Sequence, residues 1–232
     1  MKWENSIIST LPWGKTITRL EEKEKVAFRI AEMVNDGDII GVGSGSTSYV
    51  ALLAIAQRIK EEKMHIQAIP TSLEITMACA QLKIPVTSLL EHKPDWTFDG
   101  ADEIDGHFNL IKGRGGAMFK EKLLISASNK TYIIADSSKI VQRLGINFPV
   151  PVEVFPQALA HVSQSLHNLS PKDIKLRMAE GKDGPIITEN GNLILDVWFD
   201  HIPNHMEATI KSITGVVESG LFIGYNVEII NP

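Results

Sequence analysis

Cysteine is all but missing from this chain: among 232 residues only Cys79 carries a thiol. One thiol closes no disulfide within the chain and builds no four-cysteine metal site, so a reducing cytoplasm is the expected compartment. Long apolar runs are missing as well. No stretch approaches the roughly 20 apolar residues that cross a bilayer. The first 20 residues mix Lys2, Glu4, Ser6, Pro12 and Gly14 among apolar positions, unlike a signal peptide, and read as a leader arm. Its tryptophans, Trp3 and Trp13, are expected to pack on the body or on a neighbouring subunit. Positive charge is scarce: 23 Lys+Arg against 28 Asp+Glu leave a net charge of -5, which offers no basic field to a nucleic acid. No repeat, low-complexity tract or long charge run appears. What is present, 44% hydrophobic and 22% charged residues, is the composition of an ordinary globular protein of one large domain or two small ones.

From Glu21, Val26, Ile30, Met33 and Val34 recur at helical spacing, and Asn35-Asp36-Gly37 supplies a stop. Asp38 to Val42 is a short apolar run without alternation, as expected of a strand covered on both faces, and it leads into Gly43-Ser44-Gly45-Ser46-Thr47. Tyr49, Leu52, Leu53, Ala56 and Ile59 then form a helical stripe. A strand at Ile66 to Ile69 follows, then a helix from about Ser72 to Leu82, a short strand near Pro85 to Ser88, and a strand Trp96-Thr97-Phe98 ending at Asp99. A helix from Ala117 to Ser128 and a strand Tyr132 to Ala135 complete the series. This alternation predicts a Rossmann-like, mainly parallel sheet with helices on both faces, whose ligands bind beyond the carboxyl ends of the strands.

At Phe148-Pro149-Val150-Pro151 the pattern changes. Strand (Val152 to Phe155), helix (Gln157 to Leu169), strand (Ile174 to Met178), a hairpin across Asn190-Gly191 and a helix from about Asn204 to Ile213 predict a smaller α+β domain of split βαβ, ferredoxin-like type. The expected division is a leader at 1–20, an α/β domain at 21–145 and 214–232, and the small domain at 146–213. The final strand, Asn226 to Ile230, is expected back in the first sheet.

The turn at residues 41–47 joins a strand to a helix, where amide N–H groups and the helix dipole favour an anion. Ser46 and Ser48 stand where a dinucleotide fingerprint needs glycine, and no Walker A lysine is present. A hydroxyl-rich loop suited to one phosphate or a sugar remains, beside the plainer reading of a sterically forced turn. More informative is Asp99-Gly100-Ala101-Asp102-Glu103-Ile104-Asp105, followed by Lys112-Gly113-Arg114-Gly115-Gly116-Ala117. Four carboxylates in seven residues repel unless a cation or water separates them, and Lys112 and Arg114 are the expected near cations. Glu121 lies one turn into the next helix. A carboxylate base, a cation for an oxyanion and amides for a phosphate are the parts needed for proton abstraction beside a carbonyl. A solvated acidic loop and a divalent-metal site are the alternatives, although calcium-loop spacing is absent. His201 and His205 have Pro203 between them, so a zinc pair is not expected. Cys79 reads as core, and Lys139, after Asp136-Ser137-Ser138, could reach the same sheet edge.

Together these segments resemble the A-type ribose-5-phosphate isomerases, from about Lys23 to the C-terminus. The likeness rests on Gly-Val-Gly-Ser-Gly-Ser-Thr, Asp-Gly-Ala-Asp-Glu, Asn-Leu-Ile-Lys-Gly-Arg-Gly-Gly-Ala, Glu121-Lys122, Asp136-Ser137-Ser138-Lys139, Pro151-Val152-Glu153-Val154 and Thr188-Glu189-Asn190-Gly191-Asn192. The resemblance implies interconversion of ribose 5-phosphate and ribulose 5-phosphate in the pentose phosphate pathway, with no metal or organic cofactor. It implies substrate contacts at Ser44, Gly45, Ser46, Thr47, Asp99, Gly100, Ala101, Asp102, Lys112, Gly113, Arg114, Gly115, Lys139 and Lys23. Glu121 would be the base, Asp99 would help open the furanose ring, Lys112 would stabilise the enediolate, and Asp102 would orient sugar hydroxyls or Lys112. Arg114 stands where glycine is frequent, and Ser44 where threonine is common. The implied partners are a small sugar phosphate and further copies of the chain in a dimer or tetramer. A phosphosugar sensor and an aminosugar-phosphate deaminase are the rival readings; the first needs no base, and the second needs a histidine relay that has no evident place.

Overall fold

A computed structural model describes residues 6–14 and 16–232. Trp3 lies outside the described residues. The elements begin with α1 (Ser6–Ser9), α2 (Leu20–Glu32), β1 (Ile39–Val42), α3 (Ser46–Glu62), β2 (Gln67–Pro70), α4 (Leu73–Leu82) and β3 (Trp96–Asp99). Next come β4 (Glu103–Ile104), β5 (Leu110–Ile111), α5 (Met118–Ala127) and β6 (Thr131–Ile134). The remainder is β7 (Val150–Val154), α6 (Leu159–His167), β8 (Asp173–Leu176), β9 (Leu193–Trp198), α7 (Met206–Lys211), β10 (Val216–Ser219), β11 (Leu221–Phe222) and β12 (Val227–Ile230).

These elements form two compact units: Met1–Gly100 with Leu123–Ser137 and Asn226–Pro232, and Ala101–Lys122 with Ser138–Tyr225. The division differs from the expected boundaries at 145/146 and 213/214. Residues 101–122 belong with the second unit because β4 and β5 pair antiparallel with each other and β5 pairs with β11, far along the chain. The Lys112 amide extends this small sheet by donating to the Gly220 carbonyl at 2.9 Å.

The first unit is a five-stranded, wholly parallel sheet in the order β12-β6-β3-β1-β2, with the last strand paired to β6 as expected. Its strands are short apolar runs, and Ile40, Val42, Phe98, Ile133 and Ile134 are fully buried. Burying a side chain of this size contributes about 1.5–3 kcal/mol. Helix α2 turns Val26, Ala27, Ile30 and Ala31 inward, α3 Val50, Ala51, Leu52 and Ile55, and α4 Ile75, Ala78 and Cys79, so small residues let each helix approach closely. The Ser72 hydroxyl caps α4 by accepting from the Ile75 amide at 3.4 Å. Burial pushes the Cys79 thiol up to about 12, in keeping with a core residue. Trp13 stacks on Tyr49 of α3, with ring centroids 4.2 Å apart, so this part of the leader packs on the body. The strand expected near Pro85 to Ser88 is reduced to a single bridge, Val86 to Ala68.

In the second unit β7-α6-β8-β9-α7-β10 forms a four-stranded antiparallel sheet in the order β10-β7-β9-β8, the split βαβ arrangement expected. Val150, Val152 and Val154 pack with Leu195, Val197, Val162, Leu166 and Ile210. The intervening Pro151 and Glu153 pair in register with Asp196 and Ile194, so their side chains lie on the opposite face of the sheet. Asn190-Gly191 does form a turn, with Gly191 at φ +80° and its amide bonded to the Thr188 carbonyl at 2.9 Å. The chain leading into that turn is irregular, touching its neighbour through the isolated bridge Met178 to Pro185. Among the described residues no helix is long and apolar enough to cross a membrane.

Candidate active site

In the first unit, β1 ends and α3 begins within four residues. Gly43 cannot carry a side chain there: a Cβ would lie 2.0 Å from the carboxyl carbon of Asp99, at the end of neighbouring β3. Gly45 precedes the helix at φ 90°, ψ 176°, a conformation open essentially to glycine alone. Ser44 is tied to the end of β2, its hydroxyl 2.7 Å from that of Thr71, which donates onward to the Val42 carbonyl at 3.2 Å. The Gly45 amide donates to Glu74 at 3.1 Å. Lys23, buried in α2, donates from Nζ to the Ser46 hydroxyl at 3.0 Å. A cation is thereby brought to the N-terminus of a 17-residue helix, where backbone N–H groups and the dipole also favour an anion. Thr47 lies in the same first turn, half-buried like Ser44, Gly45 and Ser46.

Asp99 is buried against that turn, with Oδ1 accepting from the Gly100 amide at 2.7 Å. At the end of β6, Ser137 donates its amide (3.0 Å) and hydroxyl (2.9 Å) to Glu22. These bonds, with Arg19 beside them, hold the Glu22 carboxyl down at about 2 and tie the Asp136-Ser137 turn to the start of α2.

In the second unit the acidic segment settles its charges in a way the sequence does not announce. Lys112 and Arg114 were the expected cations; instead the carboxylates are met chiefly by backbone N–H groups. Asp102 accepts from the Arg114 amide at 3.0 Å, not from its guanidinium. Glu103 is wholly buried and accepts from the amides of Gly145, Asn147 and Phe148 at 2.6, 2.5 and 2.9 Å. Asp105 accepts from the amides of His107 and Asn109 at 2.8 and 2.9 Å. Backbone donors of this kind satisfy carboxylate oxygens without a cation for each.

Lys112 turns to Glu121, with Nζ to Oε2 at 3.3 Å and only 3 and 6% of the two side chains exposed. Between them runs the glycine loop. Gly113 (φ +98°) and Gly116 (φ +81°) hold backbone conformations that side chains resist, and the Gly116 amide closes a turn onto the Gly113 carbonyl at 3.0 Å. The Arg114 side chain and Gly115 are exposed. Lys122 is spent elsewhere: it pairs with Glu207 (2.6 Å) and Glu218 (3.0 Å) and donates to the Leu221 carbonyl (2.7 Å). Burial opposes ionisation of Glu218 most strongly, but Lys122, the Ser219 amide and Lys211 together hold its carboxyl below the ordinary range. Lys139 is half-buried, its ammonium 5.2 Å from the centre of the Phe148 ring.

Each unit thus gathers its own share of the expected residues: Lys23, Ser44 to Thr47, Asp99 and Gly100 in one, and Ala101, Asp102, Lys112 to Gly115, Glu121 and Lys139 in the other. Thr71 and Arg177 were not expected. Thr71 follows β2 at its carboxyl end, the edge where ligand-facing polar residues belong, so the strand pattern could have pointed to it. Arg177, which donates to the carbonyls of Gly113 and Arg114, lies more than 60 residues from the loop and has no local signal. Among the described residues no group of three or more His, Cys, Asp or Glu is placed to hold a metal ion. A buried carboxylate touching a buried ammonium is suited to moving a proton next to an oxygen that becomes negative.

The family model for ribose 5-phosphate isomerase A (phosphoriboisomerase A) matches residues 67–231. Among curated proteins, ribose-5-phosphate isomerase A of Methanothermobacter thermautotrophicus is 42% identical over 204 residues, 87% of this chain and 89% of that one. The Archaeoglobus fulgidus protein of the same name is 43% identical over 204 residues, 86% and 89% of the two chains. Among solved structures, ribose 5-phosphate isomerase A of Methanocaldococcus jannaschii superposes with a TM-score of 0.88 at 38% identity, covering 91% of this chain and 95% of the other. A D-ribose-5-phosphate isomerase in complex with phospho-erythronic acid gives a TM-score of 0.87 at 34% identity, covering 92% and 95%.

Proposed function

Because the chain belongs to the ribose 5-phosphate isomerase A family, we propose that it interconverts ribose 5-phosphate and ribulose 5-phosphate through an enediolate, as a step of the pentose phosphate pathway. The observation that carries this reading is the Lys112–Glu121 pair, a base and a cation 3.3 Å apart and both buried. Glu121 takes the proton from C2 of the open aldose. The C–H electron pair becomes the C1–C2 double bond, and the carbonyl pair moves onto O1, where the Lys112 ammonium and loop amides stabilise it. Glu121 then returns its proton to C1 while the O2 hydroxyl proton passes to O1, leaving the ketose.

The other roles follow local surroundings. Asp99, set against Gly43, helps open the furanose ring, and Asp102 orients sugar hydroxyls while it pins the Arg114 amide. Lys23 with Ser44, Gly45, Ser46 and Thr47 takes the phosphate. Gly100, Ala101, Gly113, Arg114, Gly115 and Lys139 supply further substrate contacts. A phosphosugar sensor would need the anion loop but not a base buried against an ammonium, which disfavours that rival. The protein is expected to work as a homodimer or homotetramer in the cytoplasm, and light scattering with and without residues 1–20 tests what the arm contributes.

Incubation with ribose 5-phosphate in EDTA, followed by ketose formation, tests the reading. Turnover that survives chelation supports isomerisation without a metal; no ketose under any condition overturns it.

A further inference from the structure

We propose that Arg177 is a positioning residue for this reaction, one that fixes the direction of the Gly115 amide in the Lys112–Gly116 loop; the link to turnover rests on the isomerase reading above. The guanidinium is shared in two directions. Nε donates to Asp196 Oδ2 at 2.8 Å and Nη2 pairs with Asp196 Oδ1, while Nη1 donates to the carbonyls of both Gly113 and Arg114 at 2.9 Å. The side chains of Arg177 and Asp196 are 13 and 18% exposed, so the pair is largely shielded from water.

The consequence comes from peptide geometry. In a trans peptide the N–H points opposite to the C=O of the same plane. Drawing the Gly113 carbonyl toward Arg177 therefore sends the Arg114 N–H the other way, and there it meets Asp102 at 3.0 Å. Drawing the Arg114 carbonyl toward Arg177 likewise sends the Gly115 N–H away from the guanidinium, on an exposed stretch of loop. Planes flanked by glycine flip readily, because glycine tolerates either sign of φ. Gly113, Gly115 and Gly116 thus give the loop the freedom to reverse its amides, and Arg177 removes it. Lysine cannot replace it: an ammonium lacks the planar fork that serves a carboxylate on one side and two carbonyls on the other.

The test uses the full chain and its Arg177→Ala and Arg177→Lys variants, with kcat and KM for ribose 5-phosphate and amide hydrogen exchange across residues 112–118. A misdirected loop should lower kcat/KM about 10²-fold in both variants, since small displacements of positioned groups cost that much. Added guanidinium ion, but not methylammonium, should restore at least several-fold of the loss in Arg177→Ala, a response that mere destabilisation does not give. The Arg114 amide, bonded to Asp102 in the parent, should exchange at least tenfold faster in both variants. Both variants within twofold of the parent in kcat and KM, or unchanged exchange in the loop, would overturn the proposal. If the parent makes no ketose, the isomerase reading fails, and loop exchange still decides whether Arg177 sets the amide.

Discussion

The two glycine-rich loops of this protein use the same residue for different reasons. At Gly41 and Gly43 the backbone is crowded: a Cβ would fall 2.1 Å from the Thr97 hydroxyl in the first case and 2.0 Å from the Asp99 carboxyl carbon in the second. Those glycines make room for side chains of β3. At Gly113 and Gly116 the demand is conformational, with φ at +98° and +81°. The loops are also held differently. Ser44 is fixed by hydroxyls and short-range strand ends, whereas the Gly113–Gly115 backbone is fixed by Asp102 and by a guanidinium braced on Asp196. Charged side chains reach both loops, Glu74 and Lys23 at Gly45 and Ser46 in the first, so the difference lies in the grip on the backbone: only in the second does a guanidinium hold two successive carbonyls, Gly113 and Arg114.

The glycine series should separate the two mechanisms, the largest effect first. Gly43→Ala drives a methyl group into a buried carboxylate and should cost about 3 kcal/mol or more of stability, read by urea denaturation, with activity lost as Asp99 is displaced. Gly113→Ala combines a positive φ with a Cβ 3.0 Å from that of Met118 and should cost about 2–3 kcal/mol. Gly45→Ala meets nothing within 4 Å and pays for backbone strain alone, about 1–2 kcal/mol. Equal losses at positions 43 and 45 would break the distinction between crowding and conformation. Thr71→Ala, which removes a neutral hydrogen bond to the first loop, should cost about 1 kcal/mol and raise KM more than it lowers kcat.

Acid should expose the charged bracing of the second unit. The Glu218 carboxyl is held below its ordinary value of 4.5, so its contribution is present above that pH and is lost as pH falls through the lower folded value. Glu218→Gln should therefore flatten the fall in stability below about pH 4.5. A melting profile in acid that matches the parent would remove Glu218 from the account.

What could be read in advance follows the range of the interactions. The parallel sheet was legible because apolar runs such as Ile39 to Val42 alternate with helical stripes, and the first loop because strand, glycine turn and helix adjoin. The antiparallel domain was legible from its strand–helix order and from Asn190-Gly191. Strands β4, β5 and β11 were not, since two residues carry no periodicity and Leu221-Phe222 pairs with Leu110-Ile111 across more than a hundred positions. That pairing is why residues 101–122 join the second unit. Charge near Asp99 to Asp105 suggested cations, yet backbone amides answer most of it, and amides are invisible to a count of charged residues. Glu121 and Lys112 could be named, but their contact required the glycine loop to turn back on itself.

The account stands on Glu121 as the base, and the most direct measurement is kcat for ribose 5-phosphate isomerisation by Glu121→Gln, alongside substrate affinity by equilibrium binding. Loss of about 10²–10⁴ in kcat with affinity within a few-fold of the parent is the predicted result. A glutamine variant that turns over at close to the parent rate would contradict it.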